Sequence, residues 1–439
     1  MLFFCADFGT SAVKVSILDE QGNSLSWAKK EYPYRLLPGE KVEISPLDLW
    51  SAFFHAADSI DPSLKQKAGC LCYDTFSPSP VFLNEEGDLV YPNIITHMDR
   101  RSRAQTAVID QMVGKDEYLK ISGIYPFPGG CSAMTYLWFK QNQPEYLEKS
   151  FHTGHLTTYL HKKLTGKWMT DLVNASMMGL YRTTSQSGWS EELIRTFALP
   201  RGLFCDICNP GTPLGTLLPP MAEKLGLKAG IPVTVGTNDV ASAQAGAGNY
   251  KAGDIMNTTG SSEMISILTD KPAVNPHYYL RNAALPGLWQ IYATTAGGFA
   301  VDWFYQQFCR EIPSEEFYSS YVANAIEANL EDKEVIFDPY LTGDRQSLEK
   351  KTGAWRGLTL SATREQMLAA LLRSIQKVLS AAIEEARGVL PLSPVIKISG
   401  GMATSAYLQL KMREIPGFSF EIVENCPLKG CVGLAKLYL

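Results

Sequence analysis

The chain has 439 residues, 45% of them apolar, and a formal net charge of −5, enough material for about two globular domains with ordinary cores. A negative balance without a basic block argues against a nucleic-acid or anionic-membrane partner. No apolar run approaches the ~18 residues of a membrane span, and nine scattered cysteines point to a reducing cytoplasm and buried, inert thiols.

Met1-Leu2-Phe3-Phe4-Cys5-Ala6 reads as a first buried strand, too short for a signal-peptide core. It runs into Asp7-Phe8-Gly9-Thr10-Ser11, after which residues 12–18 alternate as a second strand. A turn over 19–23 and a third strand lead to a helix with Ser45 as N-cap, Pro46 in the first turn and Asp48 near the positive dipole end. Trp50, Phe53, Phe54, Ala57 and Ile60 give it one apolar face, and a short apolar strand follows over 68–73. Three antiparallel strands, a helix and a further strand predict a mixed sheet with helical layers.

Residues 230–236 read as a buried strand ending in Gly236, followed by Asn238, Asp239 and a small-residue helix over 240–248. The turn-rich stretch 249–253 places the domain boundary there, giving domains of 1–248 and 249–439. Beyond it, Thr258-Thr259-Gly260-Ser261-Ser262 opens a second alternating hairpin. With one residue gapped, both hairpins read Gly, small hydroxyl, Ser, then a strand ending Ser-Ile-Leu. The offset is domain-sized, so the repeat implies duplication rather than a solenoid; a chance likeness is the alternative. A long helix over 363–387 stops at Gly388, a strand over 395–398 ends in Ser399-Gly400-Gly401, and a helix begins near Ala403.

Gly-hydroxyl turns offer backbone N–H groups and hydroxyls to phosphate oxygens, and Gly400-Gly401 before a helix does the same. Neither G-x-x-x-x-G-K-[ST] nor a G-x-G-x-x-G after the first strand is present, so P-loop and Rossmann sites are disfavoured. Asp7, at a strand end, can hold Mg²⁺ through water or merely cap its turn. Asp239, between a strand and a helix, can take a hydroxyl proton or merely cap the helix.

These segments, in this order, resemble the FGGY carbohydrate kinases of the actin, hexokinase and Hsp70 superfamily. Asp7 to Ser11 with Lys14 looks like the family's first phosphate segment, and Thr170-Asp171 with Asn174-Ala175-Ser176 resembles its T-D-x-x-N-A-S. Gly236 to Ala241 resembles the catalytic-aspartate segment, and Thr259-Gly260-Ser261 the second phosphate turn. Pro339-Tyr340-Leu341-x-Gly343-Asp344-Arg345 looks like P-Y-L-x-G-E-R with Asp for Glu, and Gly353-x-Trp355-x-Gly357-Leu358 with Gln366-Met367 resembles the C-terminal signature. Gly400-Gly401 is similar to the adenosine segment.

The resemblance implies an α/β fold of two actin-like, ribonuclease H-like domains, each a mixed five-stranded sheet flanked by helices, with a cleft between them. It implies an ATP- and Mg²⁺-dependent sugar kinase, cytoplasmic, acting on a neutral ketose (a pentulose such as xylulose first) or polyol. Neither nucleic acid nor membrane is expected as a partner, and a homodimer is the oligomeric expectation. Asp239 is then the base and Asp7 the magnesium-linked residue. The implied phosphate and nucleotide groups are Gly9, Thr10, Ser11, Lys14, Thr259, Gly260, Ser261, Ser262, Gly298, Gly400, Gly401 and Ser405. Ser77, Ser79, His97, Asp99, Asn238 and Asp239 are the implied substrate contacts, with His97 either pairing with the sugar or packing.

Departures from the family pattern are Thr135 before Trp138, the segment 76–80, His97 and Leu428. The middle two bear on sugar identity, and the alternative is a non-catalytic pseudokinase that senses sugar and ATP. Hsp70-like and filament-forming relatives share the hairpins and lack the Asp239 and 339–345 segments.

Overall fold

The computed structural model describes residues 1–341 and 351–439. Gly343, Asp344 and Arg345 of the expected 339–345 segment therefore lie outside the described residues. The chain divides into two units: 1–250 with 272–289 and 425–439, and 251–271 with 290–424. The first crossing falls at 250/251, two residues beyond the expected boundary at 248/249, and two later segments return to the first unit.

In unit 1, β1 (Leu2–Phe8), β2 (Ala12–Leu18) and β3 (Ser24–Glu31) form the expected antiparallel meander. Helix α1 (Pro46–Asp58) starts where the sequence indicates, with Ser45 Oγ accepting from the Asp48 N–H. Strand β4 (Ala68–Thr75) then pairs parallel with β1. Helices α2 (Leu156–Thr165) and α3 (Leu172–Met177) precede β5 (Pro213–Thr216), β6 (Pro232–Thr234), β7 (Thr237–Asn238) and α4 (Asp239–Gly246). The sheet order is β5-β6-β4-β1-β2-β3, with β7 also on β4, so this unit exceeds the expected five strands. Phe4, Phe8, Val13, Val15, Phe53 and Leu71 are fully buried in its core.

In unit 2, β8 (Ile255–Thr259) and β9 (Ser262–Thr269) form the second hairpin, followed by β10 (Trp289–Ala296) and α5 (Gly298–Phe308). Then come β11 (Ile336–Asp338), the long α6 (Arg364–Arg387), β12 (Val395–Ser399), α7 (Ser405–Glu414) and β13 (Ser419–Ile422). Helix α6 begins in a capping box of Thr363 and Gln366. The sheet order here is β10-β9-β8-β12-β13, with β8 parallel to β12 and β12 to β13. Unit 1 has the same plan in β3-β2-β1-β4 followed by β6 and β7. Each unit is thus an actin-like mixed sheet flanked by helices, and the duplication read from the hairpins holds at the level of topology.

The chain ends in α8 (Cys426–Ala435), packed against α4 and the β1–β4 face of unit 1. The two helices cross backbone to backbone: a Cβ on Gly246 would stand 1.9 Å from Cys426 O, and one on Gly430 would stand 1.8 Å from Ser242 O. That contact explains the small-residue composition of α4.

Candidate active site

The strand ends of unit 1 converge on a row of polar side chains. Asp7 on β1 lies opposite Asp74 on β4, and Asp74 lies opposite Thr237 on β7. In parallel register these side chains share one face of the sheet. Lys14, opposite Asp7 on β2, places Nζ 2.8 Å from Asp7 Oδ2. The next residue after β7 is Asp239, the first of α4. Asn238 caps that helix through Oδ1, which accepts from the Val240 and Ala241 N–H groups, and its Nδ2 donates to Asp239 Oδ1 at 2.8 Å. Asp239 Oδ1 also accepts from the Val240 N–H at 2.8 Å. Among the described residues Oδ2 has no hydrogen-bond partner, which makes it the oxygen able to take a proton.

Burial and the nearby Asp7 charge push the Asp239 carboxyl up to about 7, against the Val240 N–H, Lys14 and Arg281, which favour its charged form. A carboxylate poised near neutrality suits general-base work at ordinary pH.

The strand leading to Asp239 is held from behind. Asp171 accepts from Thr237 Oγ1 at 2.9 Å, from Thr157 Oγ1 at 3.1 Å, and from the Asn174 N–H and Nδ2. His155 bridges Asn174 Oδ1 at 2.6 Å and Ser132 Oγ at 2.7 Å, while His161 Nε2 accepts from the Gly236 N–H at 3.0 Å. Burial pushes both imidazoles down to about 4, so they stay neutral. The T-D-x-x-N-A-S-like segment is therefore a brace for the strand that ends at Asp239.

Three further groups, two in unit 1 and one in unit 2, carried no local signal in the sequence. Asp74 is fully buried, with Oδ2 3.2 Å from Cys431 Sγ and Oδ1 lacking a hydrogen-bond partner. Burial, then Asp7 and Asp239, hold its pKa well above the usual range. Arg281, on the strand Tyr279–Asn282, is buried and close enough to Asp239 to favour its charge. Glu263, beside the second turn, is fully buried against Lys411 Nζ at 2.5 Å, with Tyr407, Gln376 and Asn257 completing the network.

The expected phosphate turns form as tight hairpin ends. Gly9 N–H donates to Ala12 O at 2.9 Å and Gly260 N–H to Ser262 O at 3.0 Å. Neither glycine has a positive φ. Thr10 is half-buried, and Ser11 and Ser261 are exposed. In unit 2 the distant glycines gather on one turn: Gly298 N–H donates to Gly260 O at 2.8 Å, and Gly400, at φ 126°, lies so near Thr259 that a Cβ would stand 2.0 Å from its carbonyl oxygen. Thr259 Oγ1 bonds Ser399 O at 3.4 Å. Gly401 has open space around it, and Ser405 is exposed at the first position of α7.

The sugar contacts fare differently. Ser77 and His97 are half-buried, the His97 ring 6.4 Å from that of Phe76. Ser79 is buried, donating to Phe76 O and accepting from the Leu156 N–H, both at 3.0 Å. Asp99 is also buried: its oxygens accept from Arg101 Nε and Nη2 and, at 2.8 Å, from the Val42 N–H. Arg101 in turn pairs with buried Glu43, which Tyr91 and Asn93 also bond. Ser79, Asp99 and Asn238 thus also hold the loops and the helix cap.

Residues 2–246 match the N-terminal domain of the FGGY family of carbohydrate kinases, and residues 255–436 match its C-terminal domain. The chain is similar to xylulose kinase of Escherichia coli, 23% identical over 99% of this chain and 89% of that one. It is also similar to gluconokinase of Bacillus subtilis, 24% identical over 97% and 85%. In three dimensions it resembles xylulose kinase from Rhodospirillum rubrum with a TM-score of 0.87 at 19% identity, over 100% of this chain and 90% of that one. The chain belongs to the FGGY family of carbohydrate kinases.

Proposed function

We propose that this FGGY sugar kinase transfers the γ-phosphate of ATP, with Mg²⁺, to a hydroxyl of a neutral ketose, with a pentulose of the xylulose type as the first candidate. The observation that carries the chemistry is Asp239: its Oδ1 is fixed by Asn238 and Val240, and Oδ2 is left to accept the hydroxyl proton as the oxygen attacks phosphorus in line. A pseudokinase reading finds no support in this geometry, because the base, its brace and both turns are intact.

The placement of the cations supports a neutral substrate. Lys14 pairs with Asp7, Arg101 with Asp99 and Glu43, and Arg100 donates to His97 O at 2.7 Å; Arg281 faces Asp239. Lys14, Arg100 and Arg101 are each engaged and Arg281 favours the charge of Asp239, so a substrate carboxylate beside the two aspartates would compete with these contacts. Ser77 and His97, both half-buried, are the first candidates for hydroxyl recognition.

The carboxyls suit Mg²⁺. Asp7 and Asp239 stand near an orphaned buried oxygen of Asp74, yet no three potential ligands among the described residues are placed to chelate a metal on their own. This fits an ion that keeps several waters, arrives with the phosphates and touches protein through one or two carboxylates. Asp7 is the residue we assign to it, and bound there Mg²⁺ would offset charge on the transferring group.

The test is a coupled ADP-release assay over pentuloses, hexuloses, tetritols, glycerol and gluconate, with kcat/KM for each. A preference for a neutral ketose is expected, with the ranking among neutral sugars altered in His97→Ala. A clear preference for gluconate would overturn the substrate reading, and an unchanged ranking would make His97 a packing residue.

A further inference from the structure

Unit 2 contains a cavity of about 640 Å³ that the phosphotransfer reaction does not use. It lies between β11, one face of α6 and the end of α7, and its walls carry Lys333, Phe337, Arg373, Lys377, Arg413 and Glu414. The volume falls within the ordinary range for small-molecule sites, about 300–1,000 Å³. We infer that this pocket binds the phosphate group of a small phosphorylated metabolite, at a place separate from the nucleotide turn.

Arg373 carries the argument. It is only 5% exposed, its Nη2 has no hydrogen-bond partner, and Nη1 reaches Asn329 O only at 3.5 Å. Guanidinium donors are normally satisfied when buried, because an unmet charged donor is costly. Burial lowers the pKa of Arg373, which the charges of Glu414 and Asp332 only partly oppose. One turn further along α6 stands Lys377, and Lys333 faces the same cavity from the β11 side. Both lysines are exposed, and neither has an ion-pair partner among the described residues. Arg413 is paired with Glu331 and contributes less.

A phosphate dianion would satisfy Nη2 of Arg373 and draw in the two lysines with charge-assisted bonds, while Phe337 offers an apolar wall to the body of an ester. The site is distinct from the glycine cluster. Ser405 begins α7 near that cluster and Glu414 ends it at the pocket, and a ten-residue helix separates its ends by about 13 Å.

The experiment is calorimetric titration of the full chain with inorganic phosphate and with glucose 6-phosphate, each in the presence of a saturating non-hydrolysable ATP analogue. Saturable binding of either probe is expected, and phosphate alone binding would identify the free ion as the source. Lys377→Gln and Lys333→Gln should each weaken it by about fivefold or more while leaving turnover unchanged, the size of one lost charge contact of roughly 1 kcal/mol. Arg373→Gln should abolish it; if that variant fails to fold, the two lysine variants decide. Absence of saturable binding to the wild type at millimolar probe, or equal binding by both lysine variants, would overturn the proposal. Binding is read without turnover, so its failure is separate from any failure of the kinase reading.

Discussion

Asn238 Nδ2 donates to Asp239 Oδ1 over 2.8 Å while Asn238 Oδ1 caps the helix that Asp239 begins. One amide therefore sets both the helix start and the orientation of the base. Asn238→Ala should cost about 1 kcal/mol of stability through the lost cap and also reduce kcat. Asn238→Asp should preserve the cap, and its added charge should move the acid limb of kcat/KM to higher pH. A kcat unchanged in Asn238→Ala would show that the amide does not orient the base.

The raised pKa of Asp239 fixes two pH dependences. As base it must be ionised, so kcat/KM should fall as pH drops through about 7. Because Asp7 is one of the causes, Asp7→Asn should move that limb downward, whatever it does to turnover. For stability the sign is opposite. The folded state holds this proton more tightly than the unfolded chain, so the contribution is complete below the ordinary carboxyl pKa and is lost as pH rises through about 7. Asp239→Asn should therefore be more thermostable than wild type above pH 7 and lose that advantage in acid, as Tm against pH would show.

Gly260 and Gly400 should respond differently to a side chain. A Cβ on Gly260 meets only Ser262 O at 3.8 Å, so Gly260→Val should fold and raise KM for ATP much more than for sugar. At Gly400 a Cβ would collide with the Thr259 carbonyl at a backbone angle suited to glycine, so Gly400→Ala should lower Tm before any kinetic effect is read. Equal KM effects on both substrates in Gly260→Val would remove that turn from phosphate binding.

Asp99 should behave as a structural group. Asp99→Ala leaves Arg101 and Glu43 buried without their third partner, and breaking such a buried pair costs about 3–5 kcal/mol. The expected result is a large drop in Tm rather than a selective rise in sugar KM. A stable variant with only sugar KM altered would restore the hydroxyl-binding role.

What the sequence disclosed was what local pattern encodes. Hairpin alternation, the Ser45 cap and the two Gly-hydroxyl turns depend on neighbours within a few residues, and they sit where the pattern placed them. Asp74 escaped notice because a strand-end aspartate has no local mark; its meaning comes from lying opposite Asp7 on another strand. Glu263 and Lys411 are 148 residues apart, and only folding makes them a pair. The partners of Ser79 and Asp99 were hidden for the same reason: their polar atoms suit sugar hydroxyls in the abstract, and the tertiary contacts with Leu156 and Arg101 appear only on folding. The return of α8 to unit 1 depends on Gly246 and Gly430, whose closeness has no signature along the chain.

The most direct test of the central claim is turnover by Asp239→Asn, measured as ADP release on the best ketose, with ATP affinity determined separately. kcat should fall by roughly 10²–10⁴-fold, the usual contribution of a positioned base, with ATP affinity intact. Turnover near that of the wild type would contradict it.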